Sequence, residues 1–352
     1  MQLEEFLKTS FTRGASDIFV TAGLPIKMRV QGRLIEIGDK RLMPEDTKDI
    51  LQGLYSIANR RFSLLENGDD DFSLSLPGVG RYRVNAFRQR AAHAAVIRTI
   101  PFDIPDPDQL GIPEVIVNLA NNKRGIVLFT GTTGSGKSTS LACLIDKINK
   151  ERDDHIVTIE DPIEYRHQHK KSVISQRELT DDTMTYLTAL RAAMRQAPDV
   201  ILVGEMRDYE TISSAVTAAE TGHLVFSTLH TIGGAATINR IIDVFPEAGQ
   251  NQIRAQLATT LQAVVSQQLV PTVDGKRVAA FEIMIVNAAI RNLIRENKIF
   301  QIESIIQTSS AAGMKTMDMS LHELYRQRRI TLDEAMAFAV DQKDLTRRMK
   351  GG

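Results

Sequence analysis

The stretch Gly131 to Thr139, GTTGSGKST, has the residue types and spacing that most directly imply chemistry. Gly131, Gly136, Lys137 and Ser138 fit the pattern G-x-x-x-x-G-K-S. In that pattern glycines let backbone N–H groups turn inward around phosphate oxygens, the lysine reaches the β- and γ-phosphates, and the serine hydroxyl meets magnesium. The loop Gly131, Thr132, Thr133, Gly134, Ser135, Gly136, Lys137, Ser138 and Thr139 is therefore the expected binding site for nucleotide phosphates and Mg2+. Groups for hydrolysis must come from elsewhere. APDVILVGE, Ala197 to Glu205, reads as an apolar strand beside the first, ending in a carboxylate that can serve magnesium, through water, or the attacking water itself. Gly204 stands where an aspartate is usual, so Glu205 alone would carry that role. TIEDPIEY, Thr158 to Tyr165, gathers Glu160, Asp161 and Glu164 around Pro162. At the C-terminal edge of a parallel sheet one of them could act as a general base, and a solvated acidic turn is the competing reading. GHLVFSTLHT, Gly222 to Thr231, places His223 and His230 near the two ends of a further strand, as packing or capping residues or as sensors of a γ-phosphate.

These groups need a scaffold that brings them to one edge. GIVLFT, HIVTIE, VILVGE and HLVFSTL are short, β-branched apolar runs separated by helical stretches, the pattern of a parallel sheet covered on both faces. From about Asn239 the chain reads as mainly helical. Upstream, IFVTAG, IKMRVQGRLIEI, FSLSL and RYRVNAFRQR alternate like strands, while Glu4 to Ser10 and Pro44 to Asn67 read as helices. This predicts a small α+β domain over residues 1–100. PFDIPDPDQLGIP, residues 101–113, holds four prolines and reads as a stiff linker to a second domain over 114–352.

The composition supports this organisation and excludes other classes. At 352 residues, two domains are expected, and 43% apolar with 24% charged residues is ordinary for a globular chain. Lys+Arg and Asp+Glu are both 43; neutrality and the lack of an aromatic-basic stacking stretch argue against a nucleic-acid partner. Cys143 is the single cysteine, so no intrachain disulfide or Cys-rich zinc site can form, and a packed thiol is expected. The start MQLEEFLKTS is not a secretory signal and no apolar run reaches the length of a membrane span, which points to the cytoplasm. His167 and His169 in RHQHKK read as a solvated basic loop, Asp69 to Asp71 as a solvated turn, and Met317, Met319, Leu321 and Leu324 as helix core. In AIRNLIREN, Ala289 to Asn297, Ile290, Leu293 and Ile294 share one helix side, and Arg291 and Arg295 sit a turn apart on another.

The ordered set GTTGSGKST, TIEDPIEY, APDVILVGEMRD and TGHLVFSTLHT resembles the Walker A, Asp box, Walker B and His box of the type II/IV secretion ATPase superfamily. With GASDIFVTAGLPIKMRVQGRL, RYRVNAFRQR, QNQIRAQLATTLQAVVSQQLVP and AIRNLIRE, nearly the whole chain resembles the type IV pilus retraction ATPases, the PilT family. The resemblance implies a PAS-like N-terminal domain, a RecA-like P-loop NTPase C-terminal domain, ATP with Mg2+, and a homohexamer. It implies catalytic roles for Lys137, Glu205 and Glu164, a γ-phosphate contact for His230, and closure over the phosphates by Arg83 and Arg98. It further implies docking on a PilC-like platform protein at the cytoplasmic face of the inner membrane, with a PilU-like paralogue as a further partner. Arg291, Arg295 and Glu296 would present a charged face that transmits motion, anchored by Ile290, Leu293 and Ile294. The sequence departs from the family pattern at the alanines and His93 of QRAAHAAVIR, at Thr180 in QRELT and at Ser227 in VFSTLHTIGG, positions where glycine or serine is more familiar.

Overall fold

A computed structural model describes residues 3–30, 32–62, 68–100 and 104–350. Its contacts divide the chain into two compact units, Met1–Asp103 with Glu164–Arg166, and Ile104–Ile163 with His167–Gly352.

In the first unit β1 (Ala15–Thr21), β2 (Ile26–Val30), β3 (Arg33–Ile37), β4 (Asp69–Leu76), β5 (Gly80–Gln89) and β6 (Ala92–Ile100) form an antiparallel sheet in the order β3-β2-β1-β6-β5-β4. The period-2 patterning sends Tyr82, Val84 and Ala86 of β5 inward, where they meet α1 (Leu3–Thr12) and α2 (Pro44–Ile57) in one core with Phe6, Leu7, Leu51 and Tyr55. Helix α2 stops at Ile57; residues 63–67, at the end of the expected helix, lie outside the described residues. Asp69 to Asp71 open the strand rather than forming a turn before it, with Asp69 and Asp71 exposed. Asp70 accepts from the Tyr55 hydroxyl at 2.8 Å, and Asp71 pairs with Arg83 at 2.5 Å. Between β5 and β6, Arg90 and Ala91 both have positive φ, 49° and 63°. That is a two-residue primed turn, which favours Asn-Gly and explains why alanine is the departure there.

The second unit carries a seven-stranded sheet in the order β13-β12-β7-β11-β10-β8-β9. Its strands are β7 (Gly125–Thr130), β8 (His155–Glu160), β9 (Val173–Glu178), β10 (Val200–Val203), β11 (Leu224–Leu229), β12 (Leu261–Pro271) and β13 (Arg277–Ile285). All pairings are parallel except β12 with β13. This is the α/β, RecA-like arrangement expected of the C-terminal part. Alternate residues of β7 enter opposite cores: Ile126 and Leu128 on one face, Val127 and Phe129 on the other. The helices are α3 (Glu114–Val117), α4 (Lys137–Glu151), α5 (Tyr186–Ala193), α6 (Tyr209–Glu220), α7 (Gly234–Asp243), α8 (Glu247–Thr260), α9 (Ala288–Arg295), α10 (Ile302–Thr308), α11 (Met317–Arg326), α12 (Leu332–Phe338) and α13 (Gln342–Lys350). The exposed edge of β13 is closed by α11: Ile283 exchanges backbone hydrogen bonds with Lys315, and the Ser320 hydroxyl accepts from the Phe281 N–H at 3.1 Å.

Three expectations change. The region after Asn239 is mainly helical but also carries the strands β12 and β13, and α8 runs at Thr260 directly into the long β12 with no turn residue to announce it. The Glu205 strand is not beside the phosphate-loop strand, because β11 lies between β7 and β10; apolar runs mark strands but carry no pairing information. In the proline-rich segment, Ile112 is buried and Ile104 and Leu110 pack on the core of the second unit. The Cys143 thiol donates to Pro105 O at 3.2 Å, so the part from Ile104 onward lies with that unit; residues 101–103 lie outside the described residues. Burial pushes the Cys143 thiol up to about 11, the inert packed cysteine expected. Among the described residues no helix is long and apolar enough to cross a membrane.

Candidate nucleotide site

The phosphate loop spans the gap between β7 and α4, and Gly131 and Gly136 are dictated by what lies beneath them. Gly131, Gly134 and Gly136 have φ of 140°, 78° and 91°. A Cβ on Gly131 would sit 2.3 Å from Gln267 O, and one on Gly136 would sit 2.7 Å from Gln267 Nε2. Gln267 of β12 thus braces the loop from below, and its Oε1 accepts from Ser140 Oγ in α4 at 2.8 Å. The Lys137 ammonium donates to the carbonyls of Gly131 and Thr132 at 2.7 and 2.9 Å, pre-positioned over the loop. The Ser135 hydroxyl is buried inside it with no hydrogen-bond partner. A buried unpaired polar atom in a ring of turned backbone is what an oxygen-rich ligand would satisfy. Ser138 and Thr139 sit half-buried in the first turn of α4, where the helix dipole favours an anion.

Because β7, β8, β10 and β11 run parallel, their C-terminal ends fall on one edge. There Glu205 lies 3.0 Å from His230 Nε2 and 2.5 Å from Arg207 Nε, all through Oε1, with its side chain only 16% exposed. Two hydroxyls stitch the ends of β10 and β11 together. Ser227 Oγ donates to Val203 O at 2.7 Å and Thr228 Oγ1 to Gly204 O at 2.6 Å, which gives the serine at the departure from glycine a bonded place. Glu160 accepts from Thr158 Oγ1 at 2.6 Å and from Gln176 Nε2 at 3.2 Å, so it is anchored rather than solvated. Asp161 is exposed. Tyr186 faces this edge. Burial and then the charges of Asp161, Glu205 and Glu160 hold its hydroxyl well above the usual tyrosine range.

Glu164, Arg83 and Arg98 belong to the first unit. Glu164 is exposed. Arg83 and Arg98 stand directly opposite each other on β5 and β6, so both guanidinium groups share one face. Asp71 and Asp17, the latter 3.1 Å from Arg98 Nε, offset that like-charge pair.

Several candidates are placed differently from expectation. His223 stands at the start of β11, the opposite end from the loop, where Nδ1 contacts Ala218 O at 2.8 Å at the end of α6; it is a helix-end contact, not a sensor. His167 is buried, not solvated: burial, then Asp146 acting against it and Lys170 with it, bring its pKa down to about 4. His169 Nδ1 accepts from the Ile174 N–H, and no acidic, histidine or cysteine cluster fit for a metal occurs among the described residues. Met317, Leu321 and Leu324 are core, while Met319 is half-exposed. On α9, Ile290 and Ile294 are fully buried and Leu293 partly. Arg291 is not on an outward charged face: its guanidinium donates to Ala258 O and Thr259 O at 2.8 and 2.9 Å, capping the end of α8. Arg295 is exposed. Sequence reasoning missed Gln267, Arg207 and Tyr186. The doubled glutamine of SQQLVP, polar residues interrupting an apolar run, and the basic residue two after Glu205 were the available signals.

The chain matches the family described as Type II/IV secretion system protein over residues 2–349. It is 48% identical over 337 residues to the type IV pilus retraction ATPase PilT of Pseudomonas aeruginosa, covering 95% of this chain and 97% of that one. It is 42% identical over 353 residues to the type IV pilus ATPase PilU of the same organism, covering 100% and 92%. Among solved structures, the pilus retraction motor PilT with bound ADP superposes with a TM-score of 0.92 at 48% identity, over 99% of each chain.

Proposed function

Since the chain belongs to the type II/IV secretion system protein family, we propose that it is a motor ATPase that hydrolyses ATP to retract a type IV pilus and so drive twitching. The carrying observation is the convergence of the phosphate loop, Glu205 and His230 on one sheet edge. It occurs in a chain this similar to PilT along nearly its whole length.

In this reading the triphosphate lies along Gly131–Thr139, its charge met by loop N–H groups and the start of α4. Lys137 exchanges its carbonyl contacts for β- and γ-phosphate oxygens. The donor set fits Mg2+: the Ser138 hydroxyl and, through water, the Glu205 carboxylate are hard oxygen ligands. When bound, Mg2+ would neutralise charge on the β- and γ-phosphate oxygens. His230 and Arg207 hold Glu205 in one orientation, and His230 reports the γ-phosphate. Glu164 polarises the attacking water. Arg83 and Arg98, a paired cationic face with permanent charge and fork-shaped donors, close over the phosphates. The two units act as a PAS-like arginine-bearing domain and a RecA-like ATPase domain. Six copies form the ring, which works on a PilC-like platform protein at the cytoplasmic face of the inner membrane, alongside a PilU-like paralogue.

Steady-state turnover of the purified protein with Mg-ATP is the first test: Lys137→Ala should fall to background, and Glu205→Ala should lose turnover but keep nucleotide binding. Wild-type rates in Lys137→Ala would sink the assignment. Deleting the gene should leave hyperpiliated cells that cannot twitch; bald cells would point to pilus extension instead.

A further inference from the structure

A row of buried polar side chains crosses the C-terminal edge of the second sheet. Thr130 of β7 stands opposite Ser266 of β12, which stands opposite Glu282 of β13. Their exposures are 0%, 0% and 8%, and apart from Gln267 the other buried residues of these strands are apolar. A buried carboxylate there is costly unless bonded, and its bonds show its use. Glu282 Oε1 accepts from the Gly234 N–H at 2.7 Å, and Ser266 Oγ accepts from the Gly233 N–H at 2.9 Å while lying 2.6 Å from Thr130 Oγ1. These N–H groups begin α7, whose N-cap residue is Gly233 and so offers no side-chain cap. The cap is therefore supplied from across the sheet. The two glycines let it approach: Gly233 has φ 94°, its absent Cβ would lie 3.5 Å from Glu282 Oε1, and one on Gly234 would meet Met284 Sδ at 2.8 Å.

The segment held in this way is short. It leaves β11 at Leu229, carries His230, and enters α7 at Gly234. Its front end contacts Glu205 through His230, and its rear end is fastened by Glu282 and Ser266. We propose that Glu282 is a positioning residue for ATP hydrolysis, fixing the rear of the His230 loop so that the imidazole meets Glu205. The backbone of Met317, which opens α11, also faces the carboxylate and stabilises its charge. Burial works against that charge, and Glu303 and Asp318 add to the opposition. Glu282 thus stays in place through its amide donors, and a neutral isostere keeps the shape while weakening the hold.

This inference rests on the ATPase reading, so wild-type turnover and its loss in Lys137→Ala are measured in the same assay; if the wild type does not turn over, it is the reading that fails. With that established, Glu282→Gln should bind Mg-ATP within about twofold of wild type while kcat falls between about tenfold and a hundredfold, as expected for a misplaced catalytic contact. A purely structural role would instead lower urea stability and nucleotide affinity together. The double variant Glu282→Gln/His230→Ala should be no slower than about the slower single variant, because both remove one arrangement. Ser266→Ala, which removes the second anchor, should also lower kcat without weakening binding, and it decides the matter if Glu282→Gln does not fold. Unchanged kcat in either folded variant, or losses that multiply in the double variant, would overturn the proposal.

Discussion

His167 offers a prediction whose size follows from its surroundings. The ring is 9% exposed and Nδ1 has no hydrogen-bond partner. Its pKa falls from 6.5 to about 4, through burial and then the opposed charges of Asp146 and Lys170. Only its backbone N–H is engaged, donating to Gln176 Oε1 at 2.8 Å. The unfolded chain therefore binds a proton that the folded chain refuses between pH 6.5 and about 4. Stability at this site is complete above the unfolded value and drains away as pH falls through that window, at up to about 1.4 kcal/mol per pH unit. At pH 5 the loss reaches about 2 kcal/mol. The perturbation is His167→Leu, which deletes the titration and the unpaired nitrogen but not the backbone contact. Urea unfolding of both proteins at pH 7.5 and pH 5, at equal concentration, reads the site against the titration that the two proteins share. The wild type should lose about 2 kcal/mol more than the variant on acidification. An equal loss in both proteins would mean that the ring titrates normally and is not buried as described.

Two further predictions concern a strained loop and a helix. Thr180 holds φ 70°, a left-handed conformation that costs an L-residue about 1–2 kcal/mol and a β-branched one most of all. Thr180→Gly should therefore raise stability by about 1 kcal/mol net of glycine's larger chain entropy, and an unmoved urea midpoint would refute the strain. Leu293 is partly buried on α9, so Leu293→Ala should cost about 1–2 kcal/mol. It should stop retraction in cells while leaving ATP turnover of the purified protein within about twofold; parallel loss of both would reduce α9 to core.

The chemistry was legible wherever it is written in local patterns. The phosphate loop needs strand, glycines and helix in sequence order, and the strand ends bearing Glu205, Glu160 and His230 follow from short β-branched runs. Pairing was not legible, because an apolar strand does not name its neighbour; β11 could be inserted between β7 and β10 only by the structure. β12 escaped because helix α8 passes into it without glycine or proline, and with it went Gln267 and Ser266. His167 misled for a different reason: five charged or polar neighbours suggest solvent, but Lys170 is drawn to Asp146 at 2.5 Å and leaves the histidine inside. Thr180, Ala91 and Ser227 were visible as departures, yet only their φ angles and bonds separate two tolerated strains from one useful hydroxyl.

The same missed strand gives α9 its setting. Gln267 touches the phosphate loop at two glycines, and β12, to which it belongs, is the direct continuation of α8. Arg291 then grips the last carbonyls of α8, while Asn287 caps α9 by accepting from the Ile290 N–H at 2.9 Å. Strand β13, which brings Glu282 to the His230 loop, leads into the same helix two residues after its end. Helix α9 is thus joined by covalent chain to the strand that fastens the histidine loop, and by two hydrogen bonds to the helix α8 that runs on into the strand underlying the phosphate loop. On and just after this helix Asn292, Arg295, Glu296, Asn297 and Lys298 are exposed, with Phe300 78% exposed beside them.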